Sequence, residues 1–124
     1  MNQCEAMNTV NLKDKFNQFS DRWSPKIIGE LNDFYVKAAK LKGEFIWHHH
    51  DHEDEMFLVA KGTLRMKFRD REAVIREGEF IIVPHGVEHL PVANEEAPSV
   101  FEPKSTLNTG NITNERTVAQ LRRT

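Results

Sequence analysis

Histidine is concentrated in one part of the chain. All six histidines lie between residues 48 and 89 of the 124. Imidazole is both a common metal ligand and the side chain that titrates near neutral pH. Because six unrelated surface positions would not cluster in this way, the histidines indicate a shared chemical role, and a metal site is the first candidate.

Strand alternation predicts which histidines could share an ion. If residues 43–50 form a strand, His48 and His50 lie on one face and His49 lies on the other. A lone His-x-His is more often exposed or part of a core. Two further residues strengthen the metal interpretation. Glu55 follows the acidic turn of residues 51–54 and would begin the next antiparallel strand, which returns its carboxylate beside the pair.

His89 completes the candidate set. It follows the turn sequence Pro84-His85-Gly86, which would bring it to the start of another strand. Three imidazoles and one carboxylate suit Fe, Mn, Ni, Co, Cu or Zn as a divalent ion, and are too rich in nitrogen for Ca or Mg. An octahedral ion would keep two positions for water or a chelating substrate. The remaining histidines, His49, His52 and His85, are expected on the outside or the rim.

The rest of the chain predicts the elements that would position these residues. Short segments rich in Ile, Val and Phe recur every eight to twelve residues, with turn residues between them. This pattern is typical of an antiparallel sandwich or barrel. The predicted strands are 26–31, 33–40, 43–50, 55–60, 63–69, 72–77, 79–83, 87–92 and 98–103.

Apolar residues predict the interior and one outer surface. In 63–69, Leu64 and Met66 alternate with Arg65 and Lys67, so the basic side chains are expected on the solvent face. The outer faces of several strands are nevertheless apolar, including Ile81 and Val83, which predicts a homodimer. The candidates for the pocket lining, or more simply for the core, are Met56, Phe57, Leu64, Met66, Phe80 and Ile82.

Helices are predicted only at the two ends. Leu12, Phe16 and Phe19 have helical spacing within 9–23, and Pro25 would end that helix. A short helix is also expected over 113–122, with Arg122 and Arg123 at its C-terminus. The predicted organisation is therefore an N-terminal segment (1–24), one β-barrel (25–105) and a C-terminal tail (106–124).

Composition and charge exclude several functions. The net charge is −2 and the basic residues are dispersed, which argues against nucleic acid as a partner. No stretch reaches the roughly 18 apolar residues of a membrane span. Cys4 is the single cysteine, so no internal disulfide is expected. The first residues have neither a basic start nor an apolar run, and we expect a cytoplasmic protein.

Two motifs resemble those of the cupin superfamily. The region from Gly43 through His48-His49-His50 and Glu55 to Gly62 is similar to the first motif, G-x5-H-x-H-x3,4-E-x6-G, and is one residue short at the front. The region from Gly78 through Pro84-His85-Gly86 to His89 resembles the second, G-x5-P-x-G-x2-H-x3-N. Its closing asparagine falls one place late, at Asn94. Fifteen residues separate Gly62 from Gly78, which is short for cupins.

The resemblance implies a fold and a ligand set. The fold is all-β, a double-stranded β-helix or jelly-roll barrel, often dimeric, with the metal inside. The four metal ligands of the family map onto His48, His50, Glu55 and His89.

The resemblance does not choose a reaction, because cupins include isomerases, lyases, oxygenases and sensors. The leading hypothesis is a small metalloenzyme that acts on a small oxygen-rich molecule such as a sugar or sugar acid, through isomerase, lyase or oxygenase chemistry. The alternative is a non-catalytic module that binds or senses a small molecule, with the metal as its anchor.

Overall fold

Strands dominate the part of the chain that the computed structural model describes, which comprises residues 7–97, 100–103, 110–111 and 122–124. One helix in this part, α1 (Leu12–Phe16), precedes the strands. The strands are β1 (Lys26–Leu31), β2 (Phe34–Ala38), β3 (Leu41–Glu44), β4 (Glu55–Leu58), β5 (Thr63–Phe68), β6 (Glu72–Arg76), β7 (Phe80–Val83), β8 (His89–Ala97), β9 (Val100–Pro103) and β10 (Arg122–Arg123).

The strands within these ranges form two sheets. A six-stranded sheet has the order β10-β1-β2-β9-β4-β7, and a four-stranded sheet has the order β3-β8-β5-β6. The pairings are antiparallel except that of β1 with β10. Residues of both sheets meet in one core, as the jelly-roll prediction requires. That core contains Ala39, Leu41, Phe57, Val59, Leu64, Met66, Ile75, Val83 and Ala93.

Strand β5 follows its sequence pattern closely. Leu64 and Met66 are fully buried, while Arg65 lies on the outer face and pairs with Glu72 of β6. The predicted solvent face of this strand is therefore confirmed. The Arg65 guanidinium also holds the pKa of the Glu72 carboxyl below its usual range.

The faces of β7 are the reverse of the prediction. Phe80 and Ile82, expected inside, are 59% and 55% exposed, whereas Val83 is buried and Ile81 packs against the core. Glu55 pairs with Val83 across the strands and both are buried, so β7 turns its odd-numbered residues inward. Met56, which pairs with Ile82, is half-buried and was also wrongly predicted to line the interior.

The predicted helix over 9–23 is mostly wrong. Helix α1 ends at Phe16, after a start at which the side chain of Asn11 accepts a hydrogen bond from the amide of Asp14 at 3.0 Å. Trp23 has a φ of +58°, which a helix cannot accommodate. None of the helices in the described ranges has the length and apolarity required to cross a bilayer.

Of two other predicted elements, one is shorter in the structure than predicted and the other lies almost entirely outside the described residues. The strand over 43–50 ends at Glu44, and after it the backbone makes a hydrogen bond from the Phe45 amide to the Pro91 carbonyl and an isolated bridge at His48. The helix over 113–122 lies outside the described residues except at Arg122, which forms β10 with Arg123 beside β1.

Candidate metal centre

The four predicted ligands converge at one point, where the two sheets meet. Glu55 begins β4, in the six-stranded sheet, and His89 begins β8, in the four-stranded sheet. His48 and His50 lie between β3 and β4, in a segment that we call the histidine loop (residues 45–54). All four residues are at most 4% exposed. One candidate ligand atom from each lies within 4.8 Å of every other, so the group could hold a metal ion.

Backbone hydrogen bonds from distant residues fix the histidine loop. The His48 amide donates to the His89 carbonyl at 3.1 Å, and the His89 amide donates back at 2.9 Å. The Gly86 amide donates to the His50 carbonyl at 2.7 Å. The second cupin-like motif, which contains both Gly86 and His89, therefore holds the first one in place.

Hydrogen bonds also determine which ring nitrogen carries the proton in two of the imidazoles. His48 Nδ1 lies 2.9 Å from the carbonyl oxygen of Ile46, and His89 Nδ1 lies 3.0 Å from that of Val87. A carbonyl oxygen can only accept, so each Nδ1 carries the proton and donates it. The lone pair of each ring is therefore on Nε2, the arrangement that prepares an imidazole to bind a metal.

The contacts of Glu55 fit a bound cation. Its Oε1 lies 3.2 Å from Nε2 of His50 and 3.5 Å from Nε2 of His89. Among the described residues, the buried Nε2 of His89 has no hydrogen-bond partner. A lone pair facing a carboxylate in a buried site is unfavourable, and a cation bound by both groups removes the repulsion. The residues present therefore fit a divalent metal ion.

Burial keeps His48 neutral. Removal from water, together with the neighbouring His89, lowers the pKa of His48 from 6.5 to about 4. The His48 ring is therefore available as a neutral ligand at physiological pH.

Aromatic rings pack against the imidazoles of His48 and His89. The ring of Phe45 meets His48 edge-on with a centroid separation of 5.5 Å, and Trp23 stacks on Phe45 at 4.6 Å. The ring of Phe57 meets that of His89 edge-on at 6.1 Å. Phe57 was predicted as lining or core and is buried beside the site. Phe45 and Trp23 were missed, because their contact depends on tertiary structure.

The other histidines lie outside the cluster, as predicted. His49 Nε2 contacts Asp51 Oδ1 at 2.8 Å, and His52 is exposed. The Oδ1 of Asp54 accepts from the amide of His85 at 2.9 Å and contacts its Nδ1 at 2.8 Å. These bonds lower the pKa of the Asp54 carboxyl. The acidic turn is therefore tied to the turn that precedes His89, a connection that the sequence did not predict.

One more contact was missed by the sequence analysis. The Asn111 side-chain oxygen accepts from the His49 amide at 2.9 Å, and the Asn111 amide donates to the His49 carbonyl at 2.8 Å. Asn111 lies in a stretch without strand periodicity, 62 residues from His49. No local signal marks such a contact.

Comparison with known proteins identifies the family. The sequence profile of the cupin domain matches residues 36–102, which is more than half of the chain. The chain is a cupin. The second cupin motif usually ends in an asparagine. In this chain the fully buried Ala93 occupies that position, and the next residue, Asn94, is exposed.

Relatives of this cupin share most of its length. The uncharacterised protein YdbB of Bacillus subtilis is 36% identical over 80 residues, which cover 64% of this chain and 71% of YdbB. A cupin-2 domain containing protein from Shewanella frigidimarina is 42% identical with a TM-score of 0.76, covering 82% of this chain and 98% of the other. Protein NMB1881 from Neisseria meningitidis is 31% identical with a TM-score of 0.70, covering 77% and 98%.

Proposed function

We propose that this cupin binds one divalent transition-metal ion through His48, His50, Glu55 and His89, and uses it to transform a small oxygen-rich metabolite. The observation that carries the proposal is the convergence of these four buried side chains within 4.8 Å. Three neutral imidazoles and one carboxylate carry a single negative charge, which compensates half of the charge of such an ion. Fe, Mn, Ni, Co, Cu and Zn all accept this donor set.

The chain prepares the site before any ion binds. The carbonyls of Ile46 and Val87 orient the rings of His48 and His89, so that little reorganisation is needed on binding. Phe45 and Phe57 contact the rings and reduce access of water to them. A bound ion would supply a Lewis acid that polarises a carbonyl or hydroxyl oxygen of the substrate.

The substrate class follows from this chemistry. A donor set of four leaves an octahedral ion open to oxygen ligands, and sugars and sugar acids offer pairs of oxygens that chelate. We propose isomerase, lyase or oxygenase chemistry on such a molecule. The alternative is a protein that binds such a molecule through the metal but does not transform it. The assays below distinguish this alternative from catalysis.

The decisive experiment is metal analysis of the untagged protein and two variants. We expect about one equivalent of metal in the wild type, almost none in His50→Ala, and wild-type content in His52→Ala. His52 is the matched control because it is an exposed histidine of the same loop. Equal metal content in the two variants would show that the ligand assignment is wrong.

Activity is then tested with the identified ion. Oxygen uptake with bound Fe(II) would identify an oxygenase, and turnover of sugar acids without oxygen uptake would identify an isomerase or lyase. A metal-loaded protein that binds such compounds but leaves them unchanged would favour the non-catalytic module.

We also propose that the chain forms a homodimer through the outer face of β4 and β7. Met56 pairs with Ile82 and Leu58 pairs with Phe80 across these strands, and the two β7 side chains are more than half exposed. A contiguous apolar surface of this kind is typical of a protein interface. The sequence predicted the dimer from Ile81 and Val83. Those two side chains turn inward, so the exposed Phe80 and Ile82 of the same strand support the proposal instead.

Light scattering tests the dimer. We expect the mass of two chains for the wild type at micromolar concentration and of one chain for Phe80→Glu. Val74→Glu is the matched control, since Val74 is 43% exposed but lies on the other sheet. A wild type with the mass of one chain would contradict the proposal.

A further inference from the structure

Asn111 contacts the histidine loop as a strand partner would. Its side-chain oxygen accepts from the His49 amide at 2.9 Å, and its own amide donates to the His49 carbonyl at 2.8 Å. Both polar groups of the His49 backbone are therefore bonded to one residue. An asparagine side chain can replace a backbone carbonyl in this way because its amide has the same geometry.

The bonded residue lies between two candidate ligands. His48 is held by His89 on its backbone, and His50 is held by Gly86. Asn111 is hydrogen-bonded to His49, which lies between them. The side chain of His49 points away from the cluster and contacts Asp51. Each of three consecutive histidines is thus fixed through its backbone by a different distant residue. Without Asn111, the middle residue loses its two bonds.

Gly110 brings the backbone close to the ring of His48. A Cβ at this position would lie 2.2 Å from the His49 carbonyl oxygen and 3.0 Å from Cδ2 of His48. The φ of Gly110 is +57°, a conformation that favours glycine. Cδ2 is bonded to Nε2, the nitrogen of His48 that carries the lone pair. Any side chain at position 110 would therefore press on the backbone and the ring that place this nitrogen.

We propose that Asn111 and Gly110 are positioning residues of the metal centre, which set the spacing of His48 and His50 by fixing the backbone of His49. This inference rests on the proposed function, because it concerns the same four ligands. It adds that residues far from both cupin motifs tune the affinity for the ion.

The test compares two asparagine variants in a titration with Co(II), followed by its visible absorption. Asn111→Ala removes an amide oxygen that accepts a backbone amide at 2.9 Å. Asn11→Ala removes an equivalent acceptor, at 3.0 Å from the amide of Asp14 at the start of α1. We expect about tenfold weaker Co(II) binding in Asn111→Ala, as for other residues that orient ligands, and no change in Asn11→Ala.

Two further variants separate positioning from general destabilisation. Asn111→Asp keeps the accepting oxygen, so we expect it to restore the affinity. Gly110→Ala, which introduces the clash with the His49 carbonyl, should weaken Co(II) binding at least as much as Asn111→Ala. In the metal-free protein, hydrogen exchange of the His49 amide should be faster in Asn111→Ala than in the wild type, although both should unfold at similar temperatures.

The outcomes distinguish the two proposals. A wild type that binds no Co(II), Ni(II), Mn(II) or Zn(II) contradicts the proposed function and the positioning role with it. A wild type that binds metal with the same affinity as Asn111→Ala contradicts the positioning role alone. A loss of affinity that Asn111→Asp does not restore, or that Asn11→Ala shares, also contradicts it.

Discussion

Strand β5 and the histidine loop show two ways in which this chain reaches a defined structure. In β5 the residues alternate between a buried and an exposed face, and both neighbours are strands, β6 and β8. In the histidine loop the described backbone forms an isolated bridge at His48, and its hydrogen bonds come from separate residues far along the chain, Gly86, His89, Pro91 and Asn111. Burial of alternate side chains therefore specifies β5, whereas hydrogen bonds from several separate, distant residues fix the backbone of the loop.

This difference has a functional meaning. In a regular strand, alternate side chains point to the same face of the sheet and are separated by a fixed distance. The candidate ligands must instead converge on one point, so their backbone departs from regular pairing after Glu44. The loop depends on the rest of the fold for its shape, and we expect the two regions to respond differently to substitution.

The largest expected effect on stability is in β5. Met66 is fully buried in the core, so Met66→Ala should lower the free energy of unfolding by about 3 kcal/mol, measured by urea denaturation. Arg65→Ala is the control from the opposite face of the same strand and should lower the free energy of unfolding much less, because its pair with Glu72 is exposed and screened by water. Similar losses in the two variants would show that burial does not specify this strand.

An effect of at most the same size is expected from acidification of the metal-free protein. The pKa of His48 is about 4 in the folded chain and 6.5 as its ordinary value. Between these pH values the unfolded chain binds more protons, so stability is full above pH 6.5 and falls as the pH drops towards 4. The full loss is about 3 kcal/mol at most.

The check is urea denaturation at several pH values for the wild type and His48→Gln. The variant should lose less stability over this window, since glutamine does not titrate. Parallel curves for the two proteins would mean that the burial of His48 does not govern the acid response.

The smallest expected effect on stability is that of alanine substitution at two glycines. Gly86 and Gly78 have φ of +80° and +81°, open space where a Cβ would lie, and amides that donate at 2.7 Å to the carbonyls of His50 and Val59. Alanine at either position should cost about 1 kcal/mol of stability through the backbone strain.

Metal affinity should separate the two variants. Only Gly86 bonds a residue of the histidine loop, so Gly86→Ala should weaken Co(II) binding a few-fold and Gly78→Ala should leave it unchanged. An equal change in both would show that the loop does not depend on its bond from Gly86.

Much of the fold and the candidate ligand set could be predicted from the sequence. The alternation in β5 was sufficient because its two faces differ in polarity. His48, His50, Glu55 and His89 were found because the two motifs carry them at characteristic spacing, although the strand assumed for residues 43–50 ends at Glu44.

Other features had no local signal. The four residues of β7 are all apolar, so alternation could not tell which face is inside, and the assignment of Phe80 and Ile82 was wrong. The pairing of Asp54 with His85 spans 31 residues, and that of His49 with Asn111 spans 62. Such contacts depend on how the elements pack, which composition and periodicity do not encode.

The bonds from His48 to Ile46 and from His89 to Val87 each span two residues of the chain. Each tripeptide therefore contains both the imidazole and the acceptor that sets its tautomer. Substitutions elsewhere in the barrel can change the surroundings of the candidate ligands without changing which nitrogen is protonated. Each tripeptide thus determines its own tautomer, so the residues around the candidate site can vary while both Nε2 atoms keep their lone pairs.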